Sequence, residues 1–597
     1  MAKPNDRELV ATGAAETPAG PTRRDFLQAS AAMASATLLT SCLSGNNETS
    51  PSLPGIEEPL FLANINHLVV VMFENRSFDN LLGYLYAQGP TPRNWPSRWP
   101  LPPSVPASGS QAQQFEGLWQ FPGVAPAESK SCTGILGCNS SATKYEPVLA
   151  HPHDWPTYCT PAGPMPPGLP WNYPDPNPDE GLHSYYGVRF PDPATSGTIE
   201  NGQIGKLVSK AGDPRQWDMS GFVEGYKKKA DDANPKLDYK PIMGSYTSDQ
   251  LPVISTLARN FAVFDHWFCA VPAETYCNRA LFHASTSWGY TENAQTGETT
   301  LDRWKTPPTF VSGDSIFDAL EQAGITWGVY FSGAKQCPAS SASSVEGNVG
   351  LTGLIHYEVG KTYGPACYQD PKTADASKQR FWPVEDLLED LRSKDGKLNQ
   401  YTFIEPLSGK WPFPDPQPPF PPDTAYFGNS YHPNQDVRYG EEVLREIYEA
   451  IRTNPERSKD TMLLVVFDEH GGTYDHVSPP DQIPAPWTTN PPPLEYGFPF
   501  TTLGLRVPAI AISQYTLPGT IVNTPMHHAA VINTLFRKFI SPKLKSGEKN
   551  YLTERDKGGN GGDLGKAYNG IRATAWPPLL DRVDPPNVPL LPPCKAT

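Results

Sequence analysis

Two short runs, His67–Phe73 (HLVVVMF) and Thr461–Phe467 (TMLLVVF), are apolar almost throughout and rich in β-branched residues. A strand that buries one face alternates apolar and polar residues, whereas one with no alternation is buried on both faces. That condition is met chiefly in parallel sheets covered by helices on either side. Further strand candidates lie at 325–331, 401–404 and 507–512, and helical patterns fall between them. Residues 315–323 open on a Ser315/Asp318 capping pair and stop at Gly324. Residues 437–451 bring Val443, Leu444, Ile447 and Ile451 to one face. Strands alternating with helices predict an α/β fold, a doubly wound and mostly parallel sheet flanked by helices.

The chain of 597 residues is 38% hydrophobic and 11% aromatic, which supplies a large core and excludes a mainly disordered protein. Its 68 prolines gather in runs such as WPFPDPQPPFPPD, which predict long, stiff surface loops. Residues 90–241 are rich in Pro, Gly and aromatics and read as an insertion or lid on a catalytic domain spanning 65–545, with a small separate domain as the alternative. Residues 546–597 read as a Pro-rich tail. A net charge of −15 without a basic stripe excludes nucleic acid as a partner.

The first 42 residues read as an address. Thr22-Arg23-Arg24-Asp25-Phe26-Leu27 resembles a twin-arginine export signal, an apolar stretch of small residues follows, and Leu39-Thr40-Ser41-Cys42 resembles a lipobox. Lipidation of Cys42 would anchor the chain to a membrane in the periplasm or at the cell surface, with residues 43–64 as a tether. Nine cysteines less Cys42 leave an even number in an exported chain, which predicts up to four disulfides of unspecified connectivity.

In open α/β sheets ligands sit beyond the carboxyl ends of the strands. Directly after the two buried runs stand Glu74-Asn75 and Asp468-Glu469. Three carboxylates and an amide oxygen brought together there repel one another unless a cation lies between them, and a hard or borderline divalent ion suits all-oxygen ligands. A third element, Val271-Pro-Ala-Glu-Thr275-Tyr-Cys-Asn278-Arg279, opens a helix, so that Thr275 lies where backbone N–H groups and the helix dipole favour an anion. Asn278 and Arg279, one turn on, are placed to donate to phosphate oxygens. The plainer alternatives are solvated loop acids, and a threonine that only caps its helix.

ENRSFDNLLGYL, VPAETYCNRALF, SYHPNQDVRYGEEVL and FDEHGGTYDHVSPP follow one another in an order that resembles the bacterial phosphoesterase family of phospholipases C and acid phosphatases, within the alkaline-phosphatase-like superfamily. The resemblance implies a phosphate-ester hydrolase with Glu74, Asn75, Asp468 and Glu469 as metal ligands. It makes Thr275 a nucleophile that also touches the metal, and His432 the histidine at the phosphate. His153 and His528 resemble further histidines near the site. It implies one divalent metal, with Ca, Mg, Mn, Zn and Fe all open, and a substrate that is a phosphate monoester or a phospholipid diester of the phosphatidylcholine type. A catalytically silent, metal-stabilised surface lipoprotein is the alternative from another class. The chain departs from the family pattern at Asn80, where His is usual, and at Cys277, where Pro is usual and where the thiol would allow a disulfide near the site.

Overall fold

The computed structural model describes residues 60–86, 115–118, 202–226 except 211, 240–294 except 249, 300–305, 315–331, 346–365, 374–406 except 394–395, 429–433 and 437–579 except 569, with three isolated strand pieces between 138 and 152. Cys42, His153 and the twin-arginine segment lie outside these residues.

The principal elements, in chain order, are β1 (His67–Phe73), α1 (Pro252–Asn260), β2 (Ala262–Phe264), α2 (Thr275–Ala284), α3 (Ile316–Gln322), β3 (Trp327–Phe331), β4 (Phe381–Pro383), α4 (Val384–Arg392), β5 (Tyr401–Glu405), α5 (Val437–Arg452), β6 (Thr461–Phe467), β7 (Ala509–Ile512), β8 (Thr520–Val522) and α6 (Ala529–Leu535). One sheet of eight strands runs β8-β2-β7-β6-β1-β5-β3-β4. From β6 to β4 every pairing is parallel; β7 alone is antiparallel to both its neighbours. The mostly parallel α/β architecture expected from the unalternating strands is therefore the one observed, and β1 and β6, the two apolar runs, lie side by side at its centre.

Helices cover the sheet because each presents an apolar stripe to it. α5 buries Val443, Leu444, Ile447 and Ile451, and α4 buries Leu387, Leu388 and Leu391. α3 begins with the full reciprocal capping box between Ser315 and Asp318. Within the expected insertion, Ile204, Trp217, Met219, Phe222 and Val223 form a satellite core with Tyr474 and Leu505. Toward the C-terminus Leu564, Ala567 and Trp576 join the main core, and the Tyr448 hydroxyl donates to the Pro577 carbonyl at 2.6 Å. Proline-rich composition marks the absence of regular elements, not the absence of packing. Among the described residues, Cys269 and Cys277 are buried free thiols, which corrects the disulfide considered for Cys277. No helix among them is long and apolar enough to cross a membrane.

Candidate functional site

Parallel pairing sets Phe73 opposite Phe467, so β1 and β6 end level and the residues that follow leave the sheet together. The Asp468 N–H donates to the Phe73 carbonyl at 3.1 Å, continuing the ladder one step beyond the strands. The Asn75 N–H donates to Asp468 Oδ1 at 3.0 Å. Asn75 takes φ 61°, a left-handed conformation that asparagine tolerates better than most residues, and this turns its side chain back over the sheet end. There Asn75 Oδ1 accepts a hydrogen bond from Thr275 Oγ1 at 3.1 Å. Residues 75, 275 and 468, remote in the chain, thus meet in one buried pocket.

Thr275 is the first residue of α2, and Glu274 holds the cap position without a side-chain capping bond. The threonine hydroxyl is therefore directed to Asn75, not spent on its own helix. The turn that delivers it is held by Asn278. Its amide nitrogen donates to the carbonyls of Val271 and Ala273 at 3.1 and 2.7 Å, and its oxygen accepts from the Val271 N–H at 3.1 Å. Expected to donate to phosphate, Asn278 has here committed both ends of its amide to shaping the loop that carries Thr275.

Arg279 reaches three carboxylates: Asp468 through Nε at 3.0 Å, Glu74 through Nη2 at 3.3 Å and Glu405 through Nη1 at 3.4 Å. Burial opposes the guanidinium charge, but Asp468, Glu74 and Glu405 outweigh it and raise its pKa. Burial likewise raises the Asp468 carboxyl, against the pull of Arg279. Glu405 was not among the residues expected at the site. It stands at the end of β5, the other neighbour of β1, and also accepts from the Thr352 N–H and hydroxyl at 2.8 and 2.5 Å. The signal that would have found it is the one that found Glu74: an acidic residue at the end of a strand buried on both faces.

Glu469 accepts from the Gly471 N–H at 2.6 Å. Gly471 has φ +61°, and a Cβ there would lie 1.9 Å from the Asn75 carbonyl oxygen, so only glycine allows the two metal-ligand candidates' loops to approach this closely. His528 donates from Nε2 to the Asp468 carbonyl at 2.7 Å while its Nδ1 accepts from Trp267 Nε1 at 3.2 Å. Burial lowers its pKa to about 4, so it acts as a neutral brace for the Asp468 backbone. His432 is half-buried and follows Tyr431, itself fully buried.

Oxygens of Asn75, Thr275 and Asp468 meet in this buried pocket, Arg279 joins Asp468 to Glu74 and Glu405, and Glu469 follows Asp468 in the chain; hard oxygen donors in so acidic a setting are of the kind that a divalent cation takes. A second group, Asp79, Asp475 and His476, has ligand atoms within 4.8 Å of one another, the spacing of a group able to hold a metal. Within this group Arg506 bonds Asp475 at 2.9 Å and Asp79 at 3.0 Å, and His476 bonds Asp79 at 2.6 Å. Nearby, Arg76 donates to the Tyr431 carbonyl and to Asn80.

A mostly parallel α/β sheet with an acidic pocket at its carboxyl edge, and a helix-borne threonine turned into it, defines the class. A family model described as the Phosphoesterase family matches residues 196–540, more than half of the chain, and the chain belongs to that family. Glu74 and Asn75 lie before the matched span. The chain is similar to non-specific phospholipase C5 of Arabidopsis thaliana, 28% identical over 397 residues that cover 64% of this chain and 61% of that protein. Non-specific phospholipase C3 of the same plant is 28% identical over 506 residues, 82% of this chain and 71% of its own. Non-hemolytic phospholipase C of Burkholderia pseudomallei (strain K96243) is 23% identical over 323 residues, 49% and 40%. Against the first and last of these, the chain covers less than two thirds of the relative's length.

Proposed function

We propose that the protein is a metal-dependent hydrolase of phosphate esters that works through a phospho-threonine intermediate. The observation that carries this reading is the contact between Thr275 Oγ1 and Asn75 Oδ1, beside Asp468, which accepts from the Asn75 N–H and is joined to Glu74 through Arg279. Bound by these residues, a divalent ion would lower the pKa of the Thr275 hydroxyl and offset charge on the phosphoryl oxygens. Thr275, having lost its proton to solvent, attacks phosphorus; the Oγ–P bond forms as the bond from phosphorus to the ester oxygen breaks with its electron pair. His432 gives its proton to that departing oxygen. Water then cleaves the Oγ–P bond, restoring the threonine hydroxyl and releasing phosphate or a phosphorylated head group. Arg279, already paired with Asp468 and Glu74, holds the carboxylates in place and carries positive charge to the pocket wall.

The names of the relatives favour a phospholipid diester over a monoester. Purified protein assayed on p-nitrophenyl phosphate and p-nitrophenyl phosphorylcholine separates the two. Thr275→Ala is expected to abolish turnover of whichever ester is used; full activity in that variant would refute the nucleophile. Loss of turnover on chelation, and its return with Ca, Mg, Mn, Zn or Fe added singly, identifies the metal. No effect of the chelator on either turnover or thermal stability would refute metal dependence. The signals at 22–27 and 39–42 support export and lipid anchoring, for which radiolabelled fatty acid incorporated by the wild type, but not by Cys42→Ser, is the expected outcome.

A further inference from the structure

Three segments carry candidate site residues directly after an aromatic ring: Phe73 precedes Glu74, Tyr431 precedes His432, and Phe467 precedes Asp468. The three rings interlock. Tyr431 meets Phe73 edge-on with centroids 4.8 Å apart and meets Phe467 at 5.4 Å, while Phe73 and Phe467 lie 5.4 Å from each other. Tyr431 is thus the wedge that joins the histidine segment to the two strand ends. Its backbone is in the left-handed region, φ 67°, an unfavourable conformation for an aromatic residue that persists only where its surroundings enforce it.

Those surroundings grip Tyr431 through its carbonyl, its ring and its hydroxyl. Arg76 Nε donates to its carbonyl oxygen at 2.6 Å. The preceding Ser430 carbonyl accepts from the Glu74 N–H at 2.8 Å, and Ser430 Oγ donates to Glu74 Oε2 at 3.3 Å. The ring lies over Gly440, where a Cβ would come within 2.2 Å of it. The hydroxyl donates to Glu441 Oε1 at 2.5 Å. Glu441, fully buried on α5, is anchored in turn by the first N–H groups of α1: Val253 N donates to its Oε2 at 2.5 Å and Ile254 N to its Oε1 at 3.1 Å. A chain of hydrogen bonds therefore runs from the start of α1 through a carboxylate to the phenol one residue before His432.

We infer that Tyr431 and Glu441 are positioning residues, which hold the strained turn before His432 and thereby fix the imidazole relative to the Glu74 and Asp468 strand ends. Neither touches substrate; both act through the histidine. The inference rests on the proposed role of His432 in protonating the departing oxygen. A proton donor displaced by a fraction of an ångström still occupies the pocket, so binding survives while proton transfer slows, and the slowing is worst for an ester whose alcohol is a poor leaving group.

The test compares Tyr431→Phe, Glu441→Gln and His432→Asn on aryl esters whose phenols span a range of acidity, using the phosphoryl head that the wild type turns over. Tyr431→Phe keeps the ring wedge and removes only the bond to Glu441, so the fold is retained; unchanged near-ultraviolet circular dichroism verifies this. The expected result is kcat lower by about tenfold with KM within about twofold, and a loss that grows as the phenol becomes less acidic, as it does for His432→Asn. In the double variant Tyr431→Phe/His432→Asn the loss is expected to equal that of His432→Asn alone. Losses that multiply in the double variant, or that are independent of the phenol, overturn the positioning role. If His432→Asn itself shows no dependence on the phenol while Thr275→Ala is inactive, the fault lies with the proton-donor reading, and the inference falls with it. If Thr275→Ala is active, it is the proposed reaction that has failed.

Discussion

Arg279 is the residue on which the acidic pocket turns, since the buried carboxylates of Glu74, Glu405 and Asp468 all bond to it. Removing one partner of a buried ion pair leaves the others uncompensated and typically costs about 3–5 kcal/mol. Arg279→Met is accordingly expected to destabilise the protein by about 3 kcal/mol in urea denaturation without metal, and by less when a bound divalent ion supplies the missing charge. The opposite order, with a smaller loss in the absence of metal, would contradict a cation site beside Arg279. Of the residues here, Glu74, Asp468 and Thr275 were legible from the sequence because each follows or begins an element whose burial pattern is plain. Asn278 was legible as a site residue but not as a loop brace, because its partners are backbone groups of its own turn, which no residue pattern encodes.

At the scale of elements, the site exists because β1 and β6 pair in register and their following loops lie in contact. Gly471 makes that contact possible. Gly471→Ala introduces a methyl carbon 1.9 Å from the Asn75 carbonyl oxygen at a φ of +61°. It is expected to lower stability by about 2–4 kcal/mol and to reduce turnover together with it, checked by thermal denaturation alongside steady-state kinetics. A variant as stable and active as the wild type would show that the two loops separate at no cost. β1, β3, β5 and β6 were all visible as apolar runs, and α3 was visible through its capping pair. β2, β4 and β8 were not, being three residues each, too short to show any period. The antiparallel setting of β7 was also hidden, since an edgeward strand covered on both faces has the same composition whichever way it runs.

Across the whole molecule, distant segments close the core and its charges. Trp576, far along the proline-rich C-terminal stretch, is buried against Tyr448 on α5, with ring centroids 5.5 Å apart, and against Phe261 at 5.6 Å. Trp576→Ala is expected to cost about 3–5 kcal/mol, read from the urea midpoint; a loss under about 1 kcal/mol would mean that the ring adds little to the core. On another side, His476 ties the 468–481 loop to the first strand's loop through Asp79. Burial opposes its charge, but Asp79 and then Glu116 raise its pKa from 6.5 to about 9. A histidine whose folded pKa is raised contributes stability that is complete below about 6.5 and is lost as the pH rises through about 9. Denaturation midpoints are therefore expected to fall from about pH 6 to about pH 10, and His476→Gln to flatten that decline.

The chain by itself determined the class of fold and most of the polar residues at the sheet edge, because burial on both faces demands unbroken apolar runs and because acids directly after such runs have nowhere else to go. Tertiary structure alone decided which runs are neighbours, and so that Glu405 joins Glu74 and Asp468 about Arg279. It alone decided that Tyr431 wedges between Phe73 and Phe467. Strand order and ring packing arise from the fit of surfaces remote in the chain, and such fit leaves no mark in the local alternation of apolar and polar residues.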